Sequence, residues 1–241
     1  MHQVNDKVVE PSLGQAKGTL VFFHGYGANG QEMADYVGEN IRHQLPHVKL
    51  RFPDGLLPTP YNPAQRSWFH IQDMLDDKEH RGIPFDGNIA APRALGAMSD
   101  IHAYIDHVIA EDGIDPSQLI IAGFSQGAQI AFYSGLQRHE EVGGVFSISG
   151  PAIDQVQGIN SNPPIMILAG ADENSHFSGR QCAEKTHGLL LENGFGSELY
   201  LTPENGHNIC QNSLKALVSF TVQNLSGPQY TPEISYPFEP A

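Results

Sequence analysis

Six short apolar runs, spaced along the chain and mostly separated by longer amphipathic segments, constrain this sequence more than any other feature. The runs are TLVFFH (19–24), VKLRF (48–52), QLIIAGF (118–124), GGVFSIS (143–149), PIMILAG (164–170) and SELYLT (197–202). Apolar side chains fall on both faces of these runs, which predicts strands buried on both sides. The intervening segments QEMADYVGENIRHQL (31–45), APRALGAMSDIHAYIDHVIAEDG (91–113), QGAQIAFYSGLQRH (126–139), GRQCAEKTHGLLLENG (179–194) and SLKALVSFTVQNL (213–225) read as helices. Ile101, Ile105, Val108 and Ile109 make the apolar stripe of one of them at helical spacing. Strands alternating with helices predict an α/β fold, with a mostly parallel central sheet of six to seven strands and helices on both faces. No internal repeat or linker interrupts the pattern, so residues 1–225 read as one domain.

Two stretches fall outside it. Residues 53–90 read as an irregular insertion, too long for an ordinary connection, and such loops tend to be functional. They hold Leu56, Leu57, Tyr61, Trp68, Phe69, Ile71, Met74 and Leu75, an apolar density unusual for a solvated loop. The tail SGPQYTPEISYPFEPA (226–241) has four prolines and no periodicity, so an extended segment is expected.

Charge excludes some partners. The net charge is −14, and no Lys/Arg run occurs, so nucleic acid is not an expected partner and contact with an anionic membrane is at most transient. Cys182 and Cys210 are too few for a disulfide framework and read as reduced thiols in helical stretches. No signal-like pattern opens the sequence and no apolar run approaches about 18 residues. The expected setting is the cytoplasm. The sequence leaves room for a homodimer.

Gly123-Phe124-Ser125-Gln126-Gly127 matches G-x-S-x-G at the point where a strand ends and an alanine-rich helix begins. From 25 glycines and 16 serines a chance match is expected about 0.17 times, and the strand–turn–helix context makes chance rarer still. A turn this tight requires small flanking residues, lifts the Ser125 hydroxyl above the sheet and aims the Gln126 N–H at the same spot.

Gly25-Tyr26-Gly27-Ala28-Asn29-Gly30 competes with it. This is a literal G-x-G-x-x-G after a strand, and Asp54 follows the next strand, close to a dinucleotide fingerprint with its ribose-binding acid. It would imply a nucleotide-dependent oxidoreductase. The same glycines after His24 could instead let backbone approach a developing oxyanion. A catalytically silent binding protein on the same scaffold is a third reading. The dinucleotide reading leaves Ser125 without a role. The hydrolase reading asks for an acid and then a histidine at later strand ends, and both are present.

Serine needs a base and an orienting acid. After Ser125 the candidate bases are His176, His187 and His207. His187 lies mid-helix and His176 sits only four residues past Asp172, the first acid after the strand PIMILAG, whereas His207 lies between the last strand and the last helix. Of the acids between Ser125 and His207, only Asp172 and Glu173 directly follow a buried strand. Asp172 is the first choice and Glu173 the reserve.

These segments resemble the carboxylesterase/phospholipase family of α/β-hydrolases, which includes acyl-protein thioesterases and bacterial carboxylesterases. FFHGYGANG is similar to the family's oxyanion loop, SWF (67–69) to an element over its pocket, and GFSQGAQIAF to its nucleophile segment. GGVFSISG, LAGADE and ENGHNI follow in the expected order, so the resemblance spans roughly residues 18–224. The chain departs from it at His70, where an acid is common, and in the run Asp172-Glu173-Asn174-Ser175-His176. The resemblance implies an α/β-hydrolase with Ser125, Asp172 and His207 as triad and the backbone N–H groups of Tyr26 and Gln126 as oxyanion hole.

The expected activity is cleavage of short-to-medium acyl esters or thioesters, carried by small esters, proteins or lipids, through an acyl-enzyme on Ser125. No cofactor and no metal are expected. Trp68 and Phe69 are expected to wall an acyl pocket, with Leu56, Leu57, Met74 and Leu75 as a mobile rim.

Overall fold

A computed structural model describes residues 4–82, 87–150, 153, 158–173, 179–203 and 206–225. The tail at 226–241 and His176 lie outside the described residues. In chain order the elements are β1 (Asp6–Val9), β2 (Gly18–Phe23), α1 (Gly30–Met33), a π-helical turn at Ala34–Gly38, α2 (Glu39–Ile41) and β3 (Val48–Pro53). They continue with β4 (Leu57–Pro58), β5 (Arg66–Ser67), α3 (Gln72–Arg81), α4 (Gly87–Gly96) and α5 (Met98–Asp112). After a 3-10 turn at Pro116–Gln118 come β6 (Leu119–Phe124), α6 (Gln126–Leu136), β7 (Gly144–Ile148), β8 (Ile165–Gly170), α7 (Arg180–Glu192), β9 (Glu198–Thr202) and α8 (Gln211–Asn224).

Among the described residues, seven strands form one sheet in the order β1-β3-β2-β6-β7-β8-β9, and β4 and β5 make a separate two-stranded ribbon. Every neighbouring pair in the large sheet is parallel except β1 with β3. The six runs of the sequence are the six parallel strands. Side chains of a strand alternate between faces, and the core divides accordingly. Val21, Phe23, Ile121, Val145 and Ile167 pack under α4, α5, α6 and α7. Leu20, Phe22, Leu50, Phe52, Ile120, Phe146 and Leu168 pack against the opposite layer, which includes α8.

Arg51 on β3 is buried, yet it faces three carboxylates. It donates to Asp6 at 2.7 Å, to Asp112 at 2.6 and 3.0 Å, and to Glu111. Burial alone would raise the Asp112 carboxyl. Hydrogen bonds from Arg51, Thr19 and Lys49 outweigh that and hold it below its ordinary value. The network ties edge strand β1 and the C-terminus of α5 to the sheet.

Residues 53–90 are more regular than the expected loop. They contain β4, β5, α3 and the start of α4. The α3 sequence QDMLDDKEHR holds only Met74 and Leu75 as apolar residues, so it carries no stripe to read. α4 begins at Gly87, ahead of the expected helix start, and contains Pro92. β1 leaves little trace in the sequence because DKVV is an edge strand with little of its surface buried. Cys182 lies in α7, whereas Cys210 precedes α8 and caps it, its Sγ accepting from the Ser213 N–H at 3.4 Å.

Candidate active site

The site sits at the carboxyl ends of β2, β6, β7 and β8, where an open parallel sheet collects its functional loops. Ser125 stands between β6 and α6 with φ 55° and ψ −118°, a backbone conformation that L-residues rarely adopt. The flanking glycines explain how the turn closes. A Cβ on Gly123 would lie 2.2 Å from the Gly127 carbonyl oxygen, and one on Gly127 would lie 2.1 Å from that of Phe23. The Ser125 N–H is held by the Ile148 carbonyl of β7 at 2.9 Å.

His207 meets Ser125 from above. Its Nε2 lies 2.8 Å from Ser125 Oγ, and its Nδ1 lies 2.7 Å from Glu173 Oε1. The imidazole rests on the Phe124 ring, with centroids 4.7 Å apart. This is the serine–base–acid arrangement of a hydrolytic triad.

The acid in contact with His207 is Glu173, not Asp172, and local backbone geometry gives the reason. After β8 the Glu173 N–H bonds to the Gly170 carbonyl at 3.2 Å, closing a turn over residues 170–173. Asp172 occupies the corner of that turn and is exposed. Glu173 leaves it pointing inward and is 4% exposed. Its second oxygen, Oε2, accepts from the Ser149 hydroxyl at 2.7 Å. His187 stays away from the site on α7, its Nδ1 2.8 Å from Ser197 Oγ.

The loop after β2 faces Ser125 closely: a Cβ on Gly25 would sit 3.3 Å from Ser125 Cβ. Among the described residues, neither the Tyr26 nor the Gln126 backbone N–H meets a protein acceptor, which leaves both for a ligand oxygen. His24 supports this loop from below. It is fully buried, its Nδ1 is 2.7 Å from the Gly25 carbonyl and its Nε2 accepts from the Gly55 N–H at 2.9 Å. Those partners require the neutral ring with its proton on Nδ1. Burial pushes its pKa down to about 4, against the smaller opposing effect of the Gly25 carbonyl.

The same contacts dismantle the dinucleotide reading. Asp54, the candidate ribose ligand, accepts from the Gly30 N–H at 2.8 Å. Gly27 N–H donates to the Arg66 carbonyl at 3.0 Å and Arg66 N–H to the Ala28 carbonyl at 2.9 Å. The loop is stapled to its own protein. Among the described residues no cluster of three or more His, Cys, Asp or Glu side chains could hold a metal ion.

A cavity of about 720 Å³ lies against Trp68 and Phe69, whose backbone Gln126 binds, although neither Ser125 nor His207 lines it. Its lining includes Leu56, Leu57, Trp68, Phe69, Arg93 and Asp100. Met74 and Leu75 are not part of it. α3 carries Met74 into the core at 7% exposure, and Leu75 packs against the same cluster. A rim built on those two residues is therefore corrected. Trp68 also anchors the chain: its ring meets Phe23 edge-on at 5.0 Å and its Nε1–H donates to the His24 carbonyl at 2.8 Å. Ser149, His24 and the Gln126 side chain were not identified as site residues from sequence. Only a serine ending a buried strand hinted at the first.

Strand order, the sharp strand-to-helix elbow at Ser125 and the His207 contacts together define an α/β-hydrolase. The chain belongs to the phospholipase/carboxylesterase family, which matches residues 4–225. It is similar to Carboxylesterase SOBER1 of Arabidopsis thaliana, 29% identical over 90% of this chain and 94% of that protein. It is also similar to Acyl-protein thioesterase 1 of Neurospora crassa, 26% identical over 89% and 90% of the two chains. Among solved structures, that of esterase PE8 superposes with a TM-score of 0.81 at 25% identity, covering 92% of this chain and all of the other. The protein is a serine hydrolase of the esterase class, and no helix among the described residues is long and apolar enough to cross a membrane.

Proposed function

We propose that the chain hydrolyses short-to-medium acyl esters or thioesters through an acyl-enzyme on Ser125, with His207 as base and Glu173 as the orienting acid. The observation that carries this is the placement of His207, within 2.8 Å of Ser125 Oγ and 2.7 Å of Glu173 Oε1. Ser125 Oγ attacks the acyl carbonyl as its proton passes to His207 Nε2. Glu173 holds the Nδ1 proton and stabilises the imidazolium. The N–H groups of Tyr26 and Gln126 receive the oxyanion, and one such donor is typically worth about 3 kcal/mol. His207 then protonates the departing alcohol or thiol. Water, activated by the same histidine, releases the acid.

The acyl chain enters the cavity against Leu56, Leu57, Trp68 and Phe69. Acylated proteins, lipids and small esters all present this chemistry, and the names of the thioesterase and carboxylesterase relatives support acylated substrates. We read residues 1–225 as one domain and the cytoplasm as its place of action.

The test is labelling with a fluorophosphonate probe followed by peptide mapping, alongside hydrolysis of p-nitrophenyl esters. Modification of Ser125, lost together with activity in Ser125→Ala, is expected. More than about a tenth of wild-type kcat in that variant would overturn the assignment, because loss of a triad serine costs many orders of magnitude.

A further inference from the structure

Resting on that assignment of Ser125, His207 and Glu173, we propose that Ser149 and Gly179 form a cradle around the acid Glu173, with Ser149 setting the reach that suits the position to glutamate. In it Ser149 is a positioning residue acting through Glu173. A glutamate carries one more methylene, and one more rotatable bond, than an aspartate. Its carboxylate orients a base well only if both ends of the side chain are fixed.

The two oxygens divide their partners. Oε1 faces His207 Nδ1 at 2.7 Å, and Oε2 accepts the Ser149 hydroxyl proton at 2.7 Å. Gly179 fixes the stem. With φ 99° it already holds a backbone suited to glycine, and a Cβ there would lie 2.8 Å from Glu173 Cγ and 2.6 Å from the Glu173 carbonyl oxygen. The space a side chain would occupy at 179 is filled by the carbonyl oxygen, Cβ and Cγ of Glu173, so glycine there leaves room for the stem of the acid, while the reach that suits glutamate is set at the far end by Ser149.

Ser149 is itself held in an uncommon state. Among the described residues only Ser125 and Ser149 have positive φ without being glycine, and Ser149 stands at 48°. Its N–H bonds to the Leu168 carbonyl at 2.7 Å, while the residue before it, Ile148, holds the Ser125 N–H. The end of β7 therefore fixes the nucleophile through its backbone and the acid through a side chain. Local strain of this kind persists only where surrounding contacts hold it.

The experiment compares Ser149→Gly, Ser149→Ala, Glu173→Gln, Glu173→Asp and the double variant Ser149→Gly/Glu173→Gln, with p-nitrophenyl butyrate as substrate. Ser149→Gly matters most, since glycine adopts a positive φ without strain and loses only the hydroxyl and its carbon. A single hydrogen bond to a buried charge translates into about a 10- to 100-fold effect. The expected result is a 10- to 100-fold lower kcat for Ser149→Gly and Ser149→Ala, with KM changed less than twofold. The thermal midpoint of Ser149→Gly should fall less than that of Ser149→Ala, since both lose the hydrogen bond but only glycine relieves the positive φ. The double variant should be no slower than Glu173→Gln alone, because both changes break one chain of contacts. Glu173→Asp should lose at least 10-fold, its carboxylate too short to reach Ser149 and His207 together.

Wild-type kcat in Ser149→Gly or Glu173→Asp, or losses that multiply in the double variant, would overturn the cradle and leave the triad standing. Absence of Ser125-dependent hydrolysis in the wild type would overturn both.

Discussion

The side-chain oxygen of Gln126 accepts the Trp68 backbone N–H at 3.0 Å, joining the residue after the nucleophile to the wall of the cavity. The Gln126 amide also donates to the Phe69 carbonyl at 2.8 Å. One buried side chain thus registers segment 67–69 against the turn at Ser125, whose Gln126 N–H is the one proposed to receive the oxyanion. Gln126→Ala leaves the Trp68 N–H buried with no acceptor, while Phe69 keeps its bond from the Ser67 hydroxyl. One orphaned donor costs about 1–3 kcal/mol. Urea unfolding of Gln126→Ala should show a loss in that range, with Ser125 still open to a fluorophosphonate. A loss below about 0.5 kcal/mol would mean that water replaces the glutamine.

Glu173→Gln should lower kcat by several orders of magnitude, whereas Asp172→Asn should change it less than about twofold. The amide cannot stabilise an imidazolium, and the comparable aspartate-to-asparagine change in another triad lowers kcat by about 10⁴. Asp172 has an exposed position at the turn corner and no role in holding His207. Equal losses in the two variants, or a larger one at Asp172, would show that the turn rearranges when substrate binds.

His24 makes stability depend on pH in a definite direction. Its folded pKa, about 4, lies below the unfolded value of 6.5 because burial favours the neutral ring. The stabilisation is fully present above pH 6.5 and is lost as pH falls toward 4. At most the effect is on the order of 3 kcal/mol. Protonation would also turn Nε2 into a donor facing the Gly55 N–H, itself a donor. Unfolding free energies measured from pH 7.5 to 4 should therefore slope downward. In His24→Gln, which does not titrate, the slope should flatten even though the variant starts less stable. Identical slopes would remove His24 as the cause.

The strand runs and the elbow were readable because burial on both faces and the small-residue rule leave marks within a few neighbouring positions. His207 was readable for a similar reason, lying between a last strand and a last helix. The choice between Asp172 and Glu173 was not readable. It depends on one hydrogen bond, Glu173 N–H to the Gly170 carbonyl, that closes a turn and reverses which of two adjacent acids points inward. Ser149 and Gly179 meet Glu173 only through the sheet register and the placement of α7, and nothing local announces either contact. Helix α3 was hidden for the opposite reason: its apolar content is too small to form a periodic stripe, and tertiary packing of Met74 and Leu75 stands in for it.

The cavity walled by Trp68 and Phe69 should set chain-length preference, and Phe69 is the residue to change. Each CH₂ buried there contributes up to about 0.8 kcal/mol, so kcat/KM should rise by up to about fourfold per carbon from acetate upward. The rise should stop at short-to-medium chains. The cavity is not apolar throughout. Its lining includes Arg93, in a two-pronged pair with Asp73 at 2.7 and 2.8 Å, and the Asp100 carboxylate. A hydrocarbon terminus that reaches those groups must strip water from them without offering a hydrogen bond in return. Phe69→Ala removes an apolar wall while leaving the backbone carbonyl that binds Gln126, so acetate hydrolysis should largely survive and the rising part of the profile should flatten. The variant should also lose about 3 kcal/mol of stability, since Phe69 is 4% exposed. Rates are therefore to be measured well below its melting temperature. Leu57→Ala, truncating a half-buried residue of the same lining, should flatten the profile with a smaller stability loss. A uniform drop across all chain lengths in both variants would show that these side chains support the fold and do not contact the acyl chain.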